Sequence, residues 1–207
     1  MMASYYMLNK PMGYITARRD PRHRTVMDLF PERFRDVLFP VGRLDKDTEG
    51  LLLVTDDGTL NHRLLSPESH IDKTYIFYAI GDIDTTRFSH LSDGAEVFPG
   101  KDLLTAPARV KLIKKMKLGE IKELLPPEYT SMASKKPERT VTFGEVTITE
   151  GKKHQVKHMV AYAGGEVVYL KRVAVGKLKL DDSLPKGSYR SLTAEEVSLL
   201  KNRTEND

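Results

Sequence analysis

The chain has 207 residues, with 33 lysine or arginine residues against 29 acidic ones, a formal net charge of +4 and a pI near 9.1. Hydrophobic residues make up 40% of the chain and charged residues 30%, which is typical of a globular protein and excludes an intrinsically disordered one. The absence of cysteine excludes a disulfide framework, a thiolate metal site and a cysteine nucleophile. No apolar run approaches the ~20 residues of a membrane-spanning helix, and the first residues lack the features of a signal peptide. We therefore expect a cytoplasmic enzyme or binding protein that has no membrane partner.

The N-terminal part of the chain predicts strands joined by short turns. Residues 5–10 and 14–17 are strand-like segments on either side of a turn at Pro11-Met12-Gly13. Residues 51–55 form an almost wholly apolar run between a glycine and the turn signal Asp56-Asp57-Gly58. Such a run is typical of a strand that is buried on both faces. The next two predicted elements are a helix over 59–66 and a strand over 75–80.

The C-terminal part of the chain mixes predicted strands with predicted helices. The charged segment 118–137 contains Pro126-Pro127 and predicts a surface excursion. Apolar residues alternate over 140–149, and their change of parity at Gly144-Glu145 predicts a β-bulge. Two further helices are predicted, one over 85–91 and an amphipathic one through Val156, Met159, Val160 and Ala163. Strands over 167–180, which break at Gly176, follow. A capping box at Thr193 and Glu196 opens a final helix. Many strands with short helices between them, rather than regular βαβ units, indicate the α+β class.

Positive charge is concentrated in one part of the sequence. Residues 101–157 contain 13 lysine or arginine residues and 7 acidic ones. Clustered lysines favour a polyanionic partner such as nucleic acid, because they neutralise phosphates. The alternative is an ordinary solvated surface that is rich in lysine.

The most unusual segment is the loop 42–50. Asp45, Asp47 and Gly50 occupy positions 1, 3 and 6 of an EF-hand calcium loop, but the twelfth position lacks the bidentate glutamate and no amphipathic helices flank the loop. The pattern instead favours a loop at a strand end that presents Asp45 at a basic site beside Arg43. A carboxylate near fixed cations stays ionised and can serve as a nucleophile or base. Local sequence alone also fits a surface turn with self-compensating charges.

An aromatic residue and a basic segment are the other candidates for function. Tyr75, in Lys73-Thr74-Tyr75, is either a core residue or a platform on which a nucleobase stacks. The segment 150–158 places three lysines and two histidines at the start of the amphipathic helix. Lys153 and Lys157 are four residues apart, so the spacing predicts a shared helix face. That face is either solvated or holds phosphates, together with the backbone N–H groups of the helix start.

A zinc site at the same segment is disfavoured. His154 and His158 have the i, i+4 spacing of two metal ligands. Lysines surround them, however, and no carboxylate is at hand as a third ligand. We expect no metal.

Taken together and in this order, these segments resemble the RsuA/RluB/RluE/RluF family of RNA pseudouridine synthases. The resemblance covers about residues 4–199, and its most specific stretch is 42–58. The matching pieces are Met7-Leu8-Asn9-Lys10-Pro11-x-Gly13-Tyr14, Gly42-Arg43-Leu44-Asp45-x-x-Thr48-x-Gly50-Leu51-Leu52-Leu53-x-Thr55-x-Asp57-Gly58, Lys73-Thr74-Tyr75, Glu150-Gly151-Lys152-x-His154-Gln155-Val156-Lys157, Leu170-Lys171-Arg172 and Leu192-Thr193-x-Glu195-Glu196.

The resemblance implies an α+β pseudouridine synthase catalytic fold over residues 1–207, as one domain or two subdomains, with a mixed, mainly antiparallel sheet and helices flanking a central RNA-binding cleft. The small S4 RNA-binding domain of many members is not expected here, because the first catalytic motif begins at residue 7. The resemblance makes Asp45 the catalytic aspartate, Tyr75 the ring that stacks on the flipped uracil, and Lys157 the cation that pairs with the aspartate. It also implies RNA contacts from Arg43, which would help to displace the base, and from Lys73, Lys152, Lys153, His154, Gln155, Leu170 and Arg172.

The substrate implied by the resemblance is ribosomal RNA, free or within a pre-ribosomal particle. The His154-Gln155-Val156-Lys157 and Lys101-Asp102-Leu103 segments are similar to members that modify 16S rRNA, whereas the missing S4 domain is more like a 23S enzyme. We therefore expect a 16S rRNA enzyme, with a 23S enzyme or a non-catalytic rRNA-binding assembly factor as alternatives. The isomerisation consumes no cofactor, and we expect a monomer.

Overall fold

A computed structural model describes residues 3–201, which form a mixture of short strands and short helices. The strands of this range are β1 (Tyr5–Lys10), β2 (Phe39–Val41), β3 (Glu49–Thr55), β4 (Lys73–Gly81), β5 (Arg109–Lys117), β6 (Thr140–Ile148), β7 (Gly165–Val175), β8 (Leu178–Lys179) and β9 (Tyr189–Ser191). The α-helices are α1 (Glu32–Arg35), α2 (Gly58–Leu65), α3 (Thr85–His90), α4 (Pro127–Lys135), α5 (Gln155–Tyr162) and α6 (Ala194–Lys201), and 3-10 helices span Val26–Leu29, Pro67–Ser69 and Leu118–Leu124. The pairing is mainly antiparallel, so the predicted α+β class is confirmed.

The chain divides into two compact units. The first contains the residues up to Asp72 together with those from Arg172 onward, and the second contains Lys73–Lys171. Strand β7 contributes residues to both. No helix within residues 3–201 has the length and apolar character that crossing a membrane requires.

The first unit is built around β3. All seven residues of this strand are buried, as its apolar run predicts. Strand β1 pairs antiparallel along one side, with Met7 opposite Leu53, and β9 pairs with the outer side of β1. Met7 and Leu53 belong to a hydrophobic core to which helices α2 and α6 also contribute. Each fully buried aliphatic side chain of this kind stabilises the fold by roughly 1.5–3 kcal/mol.

The second unit has the strand order β5-β6-β4-β7. Its register is interrupted by one extra residue on β5, between Leu112 and Lys114. The sequence prediction that the bulge lies at Gly144-Glu145 is therefore wrong: the irregularity is opposite, on the neighbouring strand. Gly144 has a different role, because a Cβ atom there would lie 2.4 Å from the ring of Phe77. The parity change arises because Phe143 stacks on Tyr78 on one face of β6, while Val146 is buried on the other.

Two other predicted segments differ from the structure. Residues 14–17 do not form a strand; Ile15 makes only an isolated bridge to Thr25, and its neighbour Thr16 is bonded to a loop instead. The segment 118–137, predicted as a surface excursion, contains a 3-10 helix and α4, and its Leu118 is buried in the core. Strand β5 was not predicted.

The predicted helices over 59–66 and through Val156 are confirmed, and so is the capping box, in which Thr193 and Glu196 each bond the backbone N–H of the other.

Candidate active site

Asp45 lies in the loop between β2 and β3 of the first unit, half-buried. The preceding residue, Leu44, is 6% exposed and anchors the loop in the core. The hydroxyl of Thr16 donates to the Leu44 carbonyl at 2.8 Å and accepts from the Leu44 N–H at 3.1 Å. On the other side, the Thr48 N–H donates to the Asp45 carbonyl at 3.1 Å and closes a turn. The backbone of Asp45 is therefore fixed from both sides.

Lys10 provides the strongest constraint on this loop. Its side chain is fully buried (0% exposed). Its Nζ lies 3.0 Å from the Asp45 carbonyl oxygen, 3.4 Å from that of Lys46 and 2.8 Å from that of Thr48. Burial lowers the pKa of Lys10 to about 8, against the opposing influence of nearby carboxylates. The residue therefore remains a cation at neutral pH.

The Lys10-Pro11-x-Gly13 motif thus serves the aspartate loop directly. The N–H of Gly13 donates to the Lys46 carbonyl at 2.9 Å, and Gly13 has a φ of +87°, a conformation that favours glycine. The motif was recognised in the sequence, but no role was predicted for Lys10. The only signal was a lysine at the end of a strand that is otherwise largely apolar.

The loop is not a calcium-binding EF-hand. Strands β2 and β3 flank it, whereas an EF-hand requires a helix on each side. Three of its carbonyl oxygens already accept from Lys10. Within residues 3–201 there is no group of three or more histidine, cysteine, aspartate or glutamate side chains that could hold a metal ion.

The first unit also holds two of the predicted RNA-binding arginines, in different settings. Arg43 is exposed. Arg172 is only 5% exposed, and its Nε donates to the Leu51 carbonyl at 2.8 Å. Its charge also contributes to lowering the pKa of Lys10. Arg172 therefore has a structural role beside the loop, and its contact with RNA stays a prediction.

Tyr75 and Lys73 lie on β4 in the second unit. Tyr75 is opposite Val146 of β6 and is 8% exposed. Lys73, at the start of the strand, donates to the Thr149 carbonyl at 3.2 Å. The strand pairing thus fixes the backbone position of Tyr75, and little of the residue is exposed.

A hydrogen-bond network centred on Glu150 organises the start of α5. The carboxylate of Glu150 accepts from the Ala106 N–H at 2.9 Å and from Gln155 Nε2 at 2.6 Å, and it pairs with the ammonium of Lys152. Burial acts to raise the pKa of Glu150, but the bonds from Lys152, Ala106 and Gln155 outweigh it and the pKa is lowered. Gln155, 2% exposed, also accepts from the Lys152 N–H at 2.9 Å. Sequence reasoning assigned no role to Glu150, although it opens one of the quoted motifs.

The remaining predicted residues of the second unit are distributed around this network. The helix begins at Gln155, so Lys153 lies before it and does not share a helix face with Lys157; that prediction is wrong. Lys153 and His154 are exposed, and His154 takes a left-handed conformation with φ +54°. Lys157 lies within α5, half-buried. Leu170 on β7 is 5% exposed.

Comparison with known proteins decides the family. The family model described as RNA pseudouridylate synthase matches residues 4–162. The chain belongs to the RNA pseudouridylate synthase family. It is 43% identical to an uncharacterized RNA pseudouridine synthase of Bacillus subtilis, over 95% of this chain and 72% of that protein. It is 37% identical to ribosomal small subunit pseudouridine synthase A of Yersinia pestis, over 94% of this chain and 72% of that protein. A crystal structure of a pseudouridylate synthase matches 96% of this chain and 74% of that one, with 32% identity and a TM-score of 0.77.

The chemistry of an RNA pseudouridine synthase sets requirements for these residues. The N1–C1′ bond of a uridine breaks, the base turns, and a C5–C1′ bond forms while the C5 proton is lost and N1 gains one. The target base must leave its stack, which costs a few kcal/mol, and water must be kept from the sugar intermediate.

The Glu150 network of this pseudouridine synthase can be tested by its pH dependence. We expect Glu150→Gln to lower the free energy of unfolding by about 1–3 kcal/mol at pH 7, because Lys152 loses its ionic partner in a partly buried site. Since the folded pKa lies below the ordinary 4.5, this stabilisation is present above pH 4.5 and is lost as the pH falls through the folded pKa. Urea unfolding at pH 7 and pH 3 measures both effects. The matched control is Glu128→Gln, at an exposed position of α4; equal losses in the two variants would contradict the network.

Proposed function

We propose that this pseudouridine synthase isomerises a specific uridine of ribosomal RNA, in the 16S RNA of the small subunit. The observation that carries this proposal is the likeness to ribosomal small subunit pseudouridine synthase A, which is 37% identical in Escherichia coli and 38% in Pseudomonas aeruginosa, over 94% of this chain. We further propose that it works in the cytoplasm as a monomer, on rRNA or a pre-ribosomal particle, with both units forming one catalytic domain.

Asp45 is the proposed catalytic carboxylate. The support is its fixed backbone, held by Thr16, Thr48 and the buried cation of Lys10. The neighbouring Arg43, Lys46 and Asp47 are exposed. The carboxylate acts on the target uridine by adding to the base, attacking the sugar or removing a sugar proton. All three roles require an ionised group whose position is fixed before the substrate arrives.

Tyr75 and Lys157 are proposed as its partners in the reaction. The tyrosine stacks on the flipped uracil, and the lysine balances the charge of the aspartate. Arg43 takes part in displacing the base. The exposed Lys153 and His154 are suited to phosphate contacts, as is Lys73. The proposed RNA surface also includes Lys152, Gln155, Leu170 and Arg172. Because these residues are buried or make internal contacts, we propose that they support the surface more than they contact RNA directly.

Mapping pseudouridine in total rRNA tests the proposed substrate. RNA from cells that have lost the protein, read by carbodiimide modification and primer extension, should lack one 16S pseudouridine that is present in the parent. Re-expression of the protein should restore it, and re-expression of Asp45→Asn should not. Loss of a 23S position instead would establish the 23S alternative. An unchanged map in both RNAs would favour the non-catalytic assembly factor.

A further inference from the structure

A tight turn in the second unit places an aromatic ring beside a cation. The N–H of Lys101 donates to the Phe98 carbonyl at 3.2 Å, and the two central residues are Pro99 and Gly100, the latter with a φ of +68°. Proline followed by a glycine of positive φ is the signature of a type II turn. The sequence Phe-Pro-Gly-Lys therefore fixes Phe98 and Lys101 as the two ends of one turn.

The base of this loop is closed, which makes the turn a defined part of the fold. The Ala95 N–H donates to the hydroxyl of Thr105 at 3.1 Å, and the Thr105 N–H donates to the Ala95 carbonyl at 3.0 Å. Gly94 allows this approach, because a Cβ atom there would lie 2.5 Å from the Thr105 carbonyl oxygen. Ala95 and Thr105 are both buried.

A pocket of about 590 Å³ lies between this turn and the C-terminal half of α5. Phe98 and Lys101 line it from the turn, and His158 and Tyr162 line it from the helix. The rings of Phe98 and His158 meet edge to face, with centroids 5.3 Å apart. Burial lowers the pKa of His158, as do the charges of His154 and Lys101.

The charges of the pocket are mixed. Besides Lys101, the residues that line it include the acidic Glu96 and Asp102. Two carboxylates against one lysine do not favour a bare inorganic anion. They do suit a ligand with both signs of polarity, since a carboxylate accepts hydrogen bonds from the amino group of a nucleobase. Aromatic rings supply a surface on which any base can stack, and a lysine supplies a phosphate contact.

We propose that this pocket binds an unstacked nucleotide of the substrate RNA, with its base against Phe98 and Tyr162 and its phosphate at Lys101. The base recognised is one with an exocyclic amino group, such as cytosine, because of Glu96 and Asp102. The nucleotide is a neighbour of the target and not the target itself, since uracil carries no amino group. This inference rests on the proposed function only in taking an RNA as the substrate; it does not depend on which rRNA is modified.

Binding of short single-stranded RNA tests the pocket. The probes are fluorescein-labelled 12-mers of cytidine and of uridine, whose Kd is measured by anisotropy for wild type, Phe98→Ala, Phe98→Tyr and Lys101→Ala. We expect Phe98→Ala to weaken binding of the cytidine 12-mer about tenfold, and Phe98→Tyr to stay within about twofold of wild type. Lys101→Ala should weaken both probes and reduce the slope of log Kd against log salt by about 1. The control is Lys179→Ala, an exposed lysine of β8 in the other unit, which should change neither probe.

Several results would overturn the inference. Circular dichroism verifies that Phe98→Ala is folded. If the folded variant binds the cytidine 12-mer like wild type, Phe98 has no stacking role. Should Phe98→Ala fail to fold, Lys101→Ala still tests the pocket, because its exposed side chain can be lost without unfolding the chain. Unchanged RNA binding in Lys101→Ala would then contradict the inference. Titration with free CMP distinguishes a nucleotide within RNA from a free mononucleotide. If CMP binding depends on Phe98 and RNA binding does not, the pocket binds a mononucleotide instead.

The same experiment separates this inference from the proposed function. Wild-type protein is also assayed for pseudouridine formation on 16S and 23S transcripts. If it modifies neither, the proposed function fails, while the dependence of 12-mer binding on Phe98 still decides the pocket. If it modifies one of them and Phe98→Ala has an unchanged KM for that transcript and unchanged 12-mer binding, the pocket inference fails alone.

Discussion

Asp45→Asn should reduce pseudouridine formation by more than about a thousandfold, the range in which an essential base or nucleophile acts. Asparagine has the same shape but carries no charge. The backbone bonds that fix position 45, from Lys10 and Thr48 to its carbonyl, do not involve the carboxylate and are retained. We therefore expect the melting temperature to change by only a few degrees and the Kd for RNA by less than about threefold.

The measurement is single-turnover formation of pseudouridine on an rRNA transcript with enzyme in excess. Asp47→Asn is the matched control, because it removes one negative charge from an exposed side chain of the same loop; it should keep activity within about tenfold. Substantial product from purified Asp45→Asn would show that another group performs the chemistry. A large loss of RNA binding in this variant would instead assign the carboxylate a binding role.

Much of the fold around Asp45 could be predicted because local signals and tertiary packing agree there. The run 51–55 predicts a strand buried on both faces, and β3 is buried along its whole length. The capping box at Thr193 and Glu196 uses only residues within three positions, so no long-range information is needed. Asp45 itself was predicted from a motif, whereas its local sequence also fitted an ordinary surface turn.

The failures have a common physical cause, which is that the decisive partner is far away in sequence. Strand β5 carries exposed lysines on an edge, and the apolar alternation of Val110 and Leu112 is broken by the extra residue that follows. The bulge was assigned to β6 although the extra residue belongs to its neighbour. For Lys152 the structure adds a bond to the carbonyl of Leu104, 48 residues earlier, while its contact with RNA stays a prediction. Composition and spacing cannot indicate such partners.

Lys10→Met should lower both the stability of the protein and the activity of the folded form. Methionine keeps much of the volume but cannot donate, so three carbonyl oxygens of the Asp45 loop lose a buried partner, each worth roughly 1–3 kcal/mol. In the opposite direction, the fall of the lysine pKa from 10.5 to about 8 means that burying the cation costs about 3 kcal/mol, which methionine avoids. The three lost partners together cost roughly 3–9 kcal/mol, so the avoided cost of about 3 kcal/mol offsets only part of the loss in global stability. The geometry changes as well, because the loop is released, and a displacement of about 1 Å at a reacting group can cost about a hundredfold in rate.

We accordingly expect Lys10→Met to be less stable than wild type by up to about 6 kcal/mol, and the folded variant to form pseudouridine at least about a hundredfold more slowly. Lys179→Met, at an exposed position of the same unit, should match wild type in both. The pH dependence has a definite sign: between pH 8 and 10.5 the unfolded lysine binds more protons than the folded one, so the stability of wild type relative to Lys10→Met should rise with pH. A flat difference across that window would mean that Lys10 is not buried as a cation.

Restoring the cation distinguishes a positioning role from a merely structural one. The chain has no cysteine, so Lys10→Cys carries the only thiol, and alkylating it with bromoethylamine in the unfolded state rebuilds an ammonium of nearly the length of lysine. After refolding, the alkylated protein should recover at least about a tenth of the wild-type rate, whereas the same variant treated with iodoacetamide, which adds a neutral amide, should not. Recovery with both reagents would mean that volume alone matters at this position. A folded Lys10→Met variant with full activity would mean that the Asp45 loop holds its conformation without Lys10.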